Sequence, residues 1–430
     1  MSSQPAMVAA DEIREQALLR IVRWRLLPFM FVLYIVSYVD RVNVGFASLQ
    51  MNRDLGLSAS VYGLGAGIFF LGYFVFEVPS NLLLERFGAR PWIARIMVTW
   101  GVISAAMMFT TGVTSFFVLR LLLGVAEAGF FPGMILYLTY WFPERERAKT
   151  VALFMTANAL AGVIGGPLSG ALLTLDGATG LAGWQWLFLL EGIPAVVLGG
   201  VVLVYLPNGP REATWLPRED REWLAARREA ERAGAVHTSV WEVLTNGPVW
   251  RFSLLYFSLV VALYSVSFWL PQILKRVSGQ SDLVVGLLSS LPYVVAAIGM
   301  VVIGRHSDAT GERRWHVAVP ALVGATGLIL SAVASSPALA IAAVALAALG
   351  IWGALGPFWA LPTAWLRGSA AAAGIAWINS VGNLGGFVGP YGVGYLRDVT
   401  GNFAVALTAL AGMLVVAAIL AVKAPQAQAS

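Results

Sequence analysis

Twelve apolar stretches alternate with shorter polar segments along the chain. A helix of about 20 apolar residues is long enough to span the hydrocarbon core of a bilayer, so each stretch predicts one membrane-spanning helix. The stretches lie at residues 25–48, 60–82, 92–111, 115–141, 148–174, 184–206, 250–274, 283–304, 316–334, 338–365, 370–395 and 402–422. The pattern predicts an all-α membrane protein with twelve transmembrane helices.

Composition supports this prediction and removes several kinds of chemistry. Of the 430 residues, 58% are hydrophobic and only 12% are charged, and the mean hydropathy is +0.76. These values are far from those of a soluble domain. Cysteine is absent, which excludes disulfides, thiolate nucleophiles and cysteine metal sites. We find no run of metal ligands and no serine at a strand-to-helix turn, so we expect neither an enzyme nor a bound metal or cofactor.

The distribution of lysine and arginine predicts the orientation in the membrane. With the amino terminus inside, 22 of the 28 basic residues fall in inner segments, where such residues are retained. The outer loops hold only Arg53, Lys275, Arg276 and Arg397. Both terminal tails, 1–24 and 424–430, are therefore predicted to be cytoplasmic. This topology accounts for the net charge of +5, so we expect no nucleic-acid partner.

The sequence repeats itself weakly at an offset of 223 residues. The segments NLLLERFGARPW at 81–92 and GRHSDATGERRW at 304–315 match at this offset, as do Gly162, Gly166 and Pro167 with Gly385, Gly389 and Pro390. The repeat predicts two six-helix bundles, 25–207 and 250–423, joined by a cytoplasmic linker at 208–249. Proteins built from such repeats bind their substrates near the bilayer midplane, between the halves.

Four charged residues, Asp40, Arg41, Arg120 and Glu127, lie inside the first and fourth apolar stretches. Each charge in mid-membrane costs roughly 2.5 to 3.5 kcal/mol on insertion scales, so such a cluster needs a function. Planar guanidinium groups suit carboxylates, and we therefore predict that Arg41 and Arg120 bind an organic anion. Asp40 and Glu127 would carry protons, which gives proton-coupled symport. The alternative is that the four form static ion pairs between two helices.

Other polar residues are weaker candidates. Neutral side chains that could line the same site, or simply pack, are Tyr73, Asn158, Tyr264, Gln272, Trp359 and Asn379. An inner gate is predicted from Glu77, Glu85, Arg90, Arg145, Asp308 and Arg313, with the first two acids pairing with Arg90, Arg145 or Arg147. Glu191 also lies in an apolar stretch, and we expect a structural pairing for it. At the 223-residue offset Arg41 corresponds to Tyr264, so the second half lacks the charge.

These motifs resemble the major facilitator superfamily and, within it, the anion:cation symporters that include bacterial tartrate, phthalate, hydroxyphenylacetate and galactonate carriers. The similarity covers essentially the whole chain and rests on YIVSYVDRVNVGFA (34–47), RLLLGVAEAGFFPG (120–133), LLEGIPA (189–195) and AAAAGIAWINSVGNLGGFVGP (370–390). It implies a bacterial inner-membrane location and a monomer. It also implies substrate contacts for Arg41, Arg120, Tyr73, Asn158 and Asn379, and proton coupling through Asp40 and Glu127.

The predicted function is proton-coupled uptake of a tartrate-like hydroxy acid, a sugar acid or an aromatic acid. The expected partners are the organic anion, protons and the lipid bilayer. A proton-independent organic anion exchanger or facilitator is the main alternative. The glycine pattern around Gly162 also resembles that of drug or cation antiporters, but paired arginines disfavour a cationic solute.

Overall fold

The computed structural model describes residues 3–233, 245–366 and 369–425, and regular secondary structure in these ranges is entirely helical. The α-helices are α1 Ser3–Asp54, α2 Ala59–Phe87, α3 Ala89–Ala106, α4 Val113–Glu127, α5 Phe130–Thr139, α6 Glu144–Met155, α7 Ala157–Leu173, α8 Gly183–Tyr205, α9 Arg218–Ala233, α10 Gly247–Ser278, α11 Asp282–Thr310, α12 Trp315–Val333, α13 Pro337–Gly353, α14 Leu355–Trp365, α15 Ser369–Asn383, α16 Gly385–Thr400 and α17 Ala404–Val422. Short 3₁₀ turns lie at Met107–Phe109, Ala178–Gly180 and Pro210–Glu212.

Ten helices, counting consecutive pairs as one, are long and apolar enough to cross a membrane by length and composition. They coincide with ten of the twelve predicted stretches. The other two stretches, 25–48 and 370–395, fall within α1 and within α15 and α16. The chain is therefore an all-helical membrane protein.

The sequence repeat is visible in the helix boundaries. A shift of 223 residues carries the bounds of α2, Ala59–Phe87, onto those of α11, Asp282–Thr310. The fourth and fifth predicted stretches are each divided into two helices, at Gly129 and at Thr156, and so are the tenth and eleventh, at Ala354 and Leu384. The break at Gly129 requires glycine because its φ of 84° lies in the left-handed region.

The two parts of the chain meet closely where α7 crosses α11. A Cβ atom on Gly166 would lie 2.5 Å from the carbonyl oxygen of Gly286, and one on Gly286 would lie 2.4 Å from that of Gly166. Only glycine allows the two backbones to approach so closely. Gly166, one of the glycines of the sequence repeat, therefore makes a contact between the halves.

The amino-terminal segment differs from the expectation of a simple tail. Helix α1 begins at Ser3 and continues without a break into the first apolar stretch. Its polar part pairs with the linker helix α9, since Arg14 contacts Asp220 at 2.6 Å and Arg228 contacts the buried Glu15. Good helix formers and these ion pairs extend the helix beyond the predicted boundary. Residues 234–244 of the predicted linker and 426–430 of the predicted tail lie outside the described residues.

Candidate functional site

A buried ion pair between Arg41 on α1 and Glu127 at the end of α4 forms the centre of the site. Only 6% of the Arg41 surface and none of the Glu127 surface is exposed. Arg41 Nε donates to Glu127 Oε1 at 3.2 Å, and Nη2 donates to the same oxygen. Ser37 Oγ is a third donor, at 2.8 Å. The other carboxylate oxygen, Oε2, accepts no hydrogen bond from the described residues.

Arg41 also reaches the second half of the chain. Its Nη1 donates to the hydroxyl of Tyr264 on α10 at 3.1 Å, across a sequence separation of 223 residues. The two residues thus occupy equivalent positions in the repeat and touch each other. Equivalent positions can meet only near the axis that relates the two halves, which places this site at their shared boundary.

Arg120 lies near the same Phe69 ring as Arg41. The guanidinium carbons of Arg41 and Arg120 are 5.4 and 5.2 Å from the centroid of that ring, and Arg41 also lies 5.3 Å from the ring of Tyr73. Arg120 is fully buried, and its Nε and Nη2 donate to the carbonyl oxygens of Gly65 and Ala66 at 3.3 and 3.0 Å.

Among the four charged residues, the described side chains therefore form one ion pair, that of Arg41 with Glu127. The Nη1 atom of Arg120 has no hydrogen-bond partner within the described part of the chain. Arg120 is thus a buried cation held by neutral carbonyl groups.

Asp40 belongs to a separate cluster. Successive residues of a helix point about 100° apart, so Asp40 faces away from the side of α1 that carries Arg41. Its Oδ1 accepts hydrogen bonds from Ser104 Oγ and, at 3.2 Å, from Asn43 Nδ2, and the described side chains include no ion-pair partner for it. Glu191 is held in a similar way, by the hydroxyl of Ser169 at 2.7 Å. The structural pairing expected for Glu191 is thus a neutral hydrogen bond.

Glu77 joins the two halves rather than pairing with a loop arginine. Its Oε1 accepts from Asn379 Nδ2 at 2.8 Å, and its Oε2 accepts from Ser380 Oγ at 3.2 Å. Only 4% of its surface is exposed. The predicted ion pair with Arg90 is wrong, because Glu77 lies ten residues, about 15 Å, before the end of α2 and cannot reach the loop.

The loop residues of the predicted inner gate have other partners. Arg90 lies 3.6 Å from Glu212, and hydrogen bonds from Asn208, assisted by Arg90, hold the pKa of Glu212 below its ordinary value. Asp308 pairs with Arg313 at 2.6 Å. Glu85 is exposed and makes no ion pair with a described side chain. The side chain of Arg145 lies outside the described residues.

The remaining neutral candidates are spread along the boundary between the halves. The indole nitrogen of Trp352 donates to Asn158 Oδ1 at 3.2 Å, and Trp359 packs against Tyr256 with ring centroids 4.8 Å apart. Gln272 follows Tyr264 by eight residues, about 12 Å along α10, and its side chain makes its hydrogen bonds outside this group of residues. The structure thus brings Arg41, Arg120, Tyr73, Tyr264 and Glu127 together and places Gln272 at one end of the molecule.

Sequence reasoning missed Ser37, Phe69 and Ser380. Ser37 stands one helical turn before Arg41, a spacing that could have indicated it. Phe69 and Ser380 carried no signal, because apolar rings and serines are common in such helices.

Buried charges at the boundary between two repeated helical halves are typical of membrane transporters. A sequence model of the Major Facilitator Superfamily matches residues 30–390, so the chain belongs to this superfamily. The chain is a multi-pass transport protein and has no enzymatic role.

Relatives at high identity carry transporter names. A protein of Agrobacterium vitis named "Putative tartrate transporter" is 52% identical over 408 residues, which cover 94% of each chain. A "Quinolone resistance transporter" of Acinetobacter baumannii is 45% identical over 396 residues, 91% of each chain. The fold is similar to the crystal structure of a bacterial homolog of the human lysosomal transporter Spinster in an inward-facing, occupied conformation. That match has a TM-score of 0.76 at 18% identity and covers 94% of this chain and 96% of the other.

Proposed function

We propose that the protein is a proton-coupled symporter that brings an organic carboxylate anion into the cell by alternating access. The observation that carries the proposal is the position of Arg41, whose guanidinium contacts Glu127 of the first half and Tyr264 of the second. The proposed arrangement is a monomer of twelve spans in the inner membrane of a bacterium, with both termini in the cytoplasm and with residues 25–207 and 250–423 moving against each other.

The charge and shape of the site favour a carboxylate substrate. Two guanidiniums lie near one aromatic ring and provide planar donors, and bidentate bonding to a carboxylate is their best geometry. Tyr73, Asn158, Trp359 and Asn379 are the neutral groups that we expect to complete the pocket. The relative named for tartrate supports a hydroxy acid as the first substrate to test.

Proton coupling follows from competition for Arg41. While Glu127 is ionised, it holds two donors of Arg41 and opposes an incoming anion. Protonation of Glu127 removes that negative charge and frees the guanidinium for the substrate. Release of the proton towards the cytoplasm restores the ion pair and displaces the anion. Asp40 is the proposed second proton carrier.

The contact of Glu77 with Asn379 and Ser380 is the proposed connection between the halves on the cytoplasmic side of the site. It must break and re-form as the halves move. Glu85, Arg90, Arg145, Asp308 and Arg313 remain the proposed loop part of this inner gate.

Transport into liposomes tests the proposal. With purified protein, an inward proton gradient should drive accumulation of tartrate, and collapse of the gradient should stop it. We expect Glu127→Gln to retain tartrate exchange at equal concentrations but to lose accumulation driven by the gradient. Glu219→Gln, which changes an exposed acid of α9, is the matched control and should accumulate normally.

The alternatives give different results in the same assay. A proton-independent exchanger or facilitator would show the same uptake with and without the gradient. Because one relative is named for quinolone resistance, a quinolone should be included as a test substrate. Gradient-driven export of the quinolone without any tartrate uptake would contradict the proposed symport.

A further inference from the structure

A cationic cavity lies at the end of the molecule that is predicted to face outside. It has a volume of about 560 Å³, and its charged lining consists of Arg53, Lys275, Arg276, Arg397 and Asp398. These four basic residues are the only ones that the sequence assigned to outer loops. Outer loops normally avoid such residues, so their gathering around one cavity is unexpected for topology alone.

The positive charge of the cavity is only partly compensated by nearby acids. Arg53 lies 3.1 Å from Asp54, and Lys275 lies 2.8 Å from Asp282. The carboxylate of Asp398 accepts the backbone N–H groups of Ala59 and Ser60 at 3.1 and 2.7 Å, so its charge is shared between the start of α2 and the neighbouring Arg397.

The other two cations, Arg276 and Arg397, form no ion pair with a described acidic side chain. Arg397 donates to the neutral side-chain oxygen of Gln272 at 2.6 Å. The guanidinium carbons of Arg276 and Arg397 lie 5.9 and 4.5 Å from the centroid of the same Phe403 ring. Two like charges held around one ring repel each other, and an anion between them would relieve that repulsion.

The cavity stands directly above the central site. Ser48 follows Arg41 by seven residues, two turns and about 10 Å on the same face of α1. Gln272 donates to Ser48 at 2.8 Å, just as Arg41 donates to Tyr264 one level deeper. The hydrogen bonds of Gln272 with Ser48 and Arg397 therefore close the inner end of the cavity and separate the cavity from Arg41.

We propose that this cavity, the outer vestibule, is a second binding site for small carboxylate anions. It concentrates them before the halves open to Arg41 and Arg120. The part of the inference that concerns uptake rests on the proposed function, but anion binding in the vestibule does not. A cavity of this size accommodates a small organic acid, and focused positive potential raises the local concentration and the association rate of anions.

Cysteine labelling tests the vestibule directly, because the natural chain has no cysteine. Asn52→Cys places a thiol in the lining, and Ser335→Cys places one in an exposed outer loop as the control. Each is treated with a sulfonate-bearing and a trimethylammonium-bearing methanethiosulfonate. We expect the preference for the anionic reagent to be about fivefold greater at position 52 than at position 335. Equal preference at both positions would overturn the inference.

Tartrate should slow labelling at position 52, and Arg276→Gln with Arg397→Gln should remove both the reagent preference and this protection. Arg276→Gln alone, at an exposed residue, should remove about half of the preference and covers the case in which the double variant does not fold.

The protection should persist when Arg41→Lys is added. The opposite result is that protection is lost with Arg41→Lys but survives the vestibule substitutions. It would show that tartrate acts from the central site. The vestibule would then be refuted, and the proposed symport would stand. Conversely, a normal vestibule result in protein that transports no carboxylate would refute the symport alone.

Discussion

Arg41 and Tyr264 occupy equivalent positions in the two halves of the chain, yet one is a cation and the other a neutral phenol. They meet at 3.1 Å, near the axis that relates the halves. A second arginine at position 264 would place two buried like charges in contact, which is strongly unfavourable. Two equivalent positions that meet at the axis therefore cannot both carry a positive charge, and here the second half supplies a neutral group.

The other membrane-spanning segments show the same difference between a charged first half and a neutral second half. In the described part of 25–207 the buried side chains with charge are Asp40, Arg41, Glu77, Arg120, Glu127 and Glu191, whereas in the described part of 250–423 no buried side chain is charged. In the proposed symport, the first half holds the charge of the substrate and the second half closes on it with hydroxyl, amide and aromatic groups. Neutral hydrogen bonds are weaker than charged ones and break more easily when the halves separate.

Arg41→Lys is the most severe test of the charged half. Lysine keeps the positive charge but cannot bond Glu127 and Tyr264 at once through a planar group. We expect tartrate affinity to fall at least about 100-fold, since each lost hydrogen bond to a charged group contributes about 1.5 to 3 kcal/mol. Binding is measured by thermal shift and calorimetry on purified protein. Arg95→Lys, at an arginine stacked 4.2 Å from the ring of Trp92, is the control. Wild-type affinity in Arg41→Lys would show that charge alone suffices.

The charged residues could be identified from the sequence, whereas most of their partners could not. Arg41, Glu127 and Arg120 stand out because a charge within an apolar stretch is energetically expensive wherever the helix lies. Asp40 adjoins Arg41 in sequence but bonds Ser104, because helix geometry turns neighbouring side chains apart. Glu77 binds Asn379, 302 residues away, and only the packing of the two halves brings such residues together.

The hydrogen bond between Glu77 and Asn379 tests how much a neutral side chain of the second half contributes to holding a buried charge of the first half. Asn379→Ala leaves a buried carboxylate with one donor fewer, at a cost of about 1 to 2 kcal/mol, so we expect tartrate exchange to slow about tenfold. The measurement is a double-mutant cycle with Glu77→Gln. If the two residues act through each other, the double variant is no slower than either single one. Additive losses would mean that Asn379 acts independently of Glu77, for instance on the substrate.

Tyr264→Phe should give the smallest effect and the most specific one. It removes the hydroxyl that accepts from Arg41 but keeps the ring that packs 4.4 Å from Phe70, so the shape of the site is unchanged. We expect KM for tartrate to rise about fivefold with little change in kcat, because one neutral acceptor contributes about 1 kcal/mol. Tyr395→Phe, at an exposed tyrosine of the same half, should leave KM unchanged. A loss as large as that of Arg41→Lys would instead mean that the second half holds the arginine in place and is not merely its neutral counterpart.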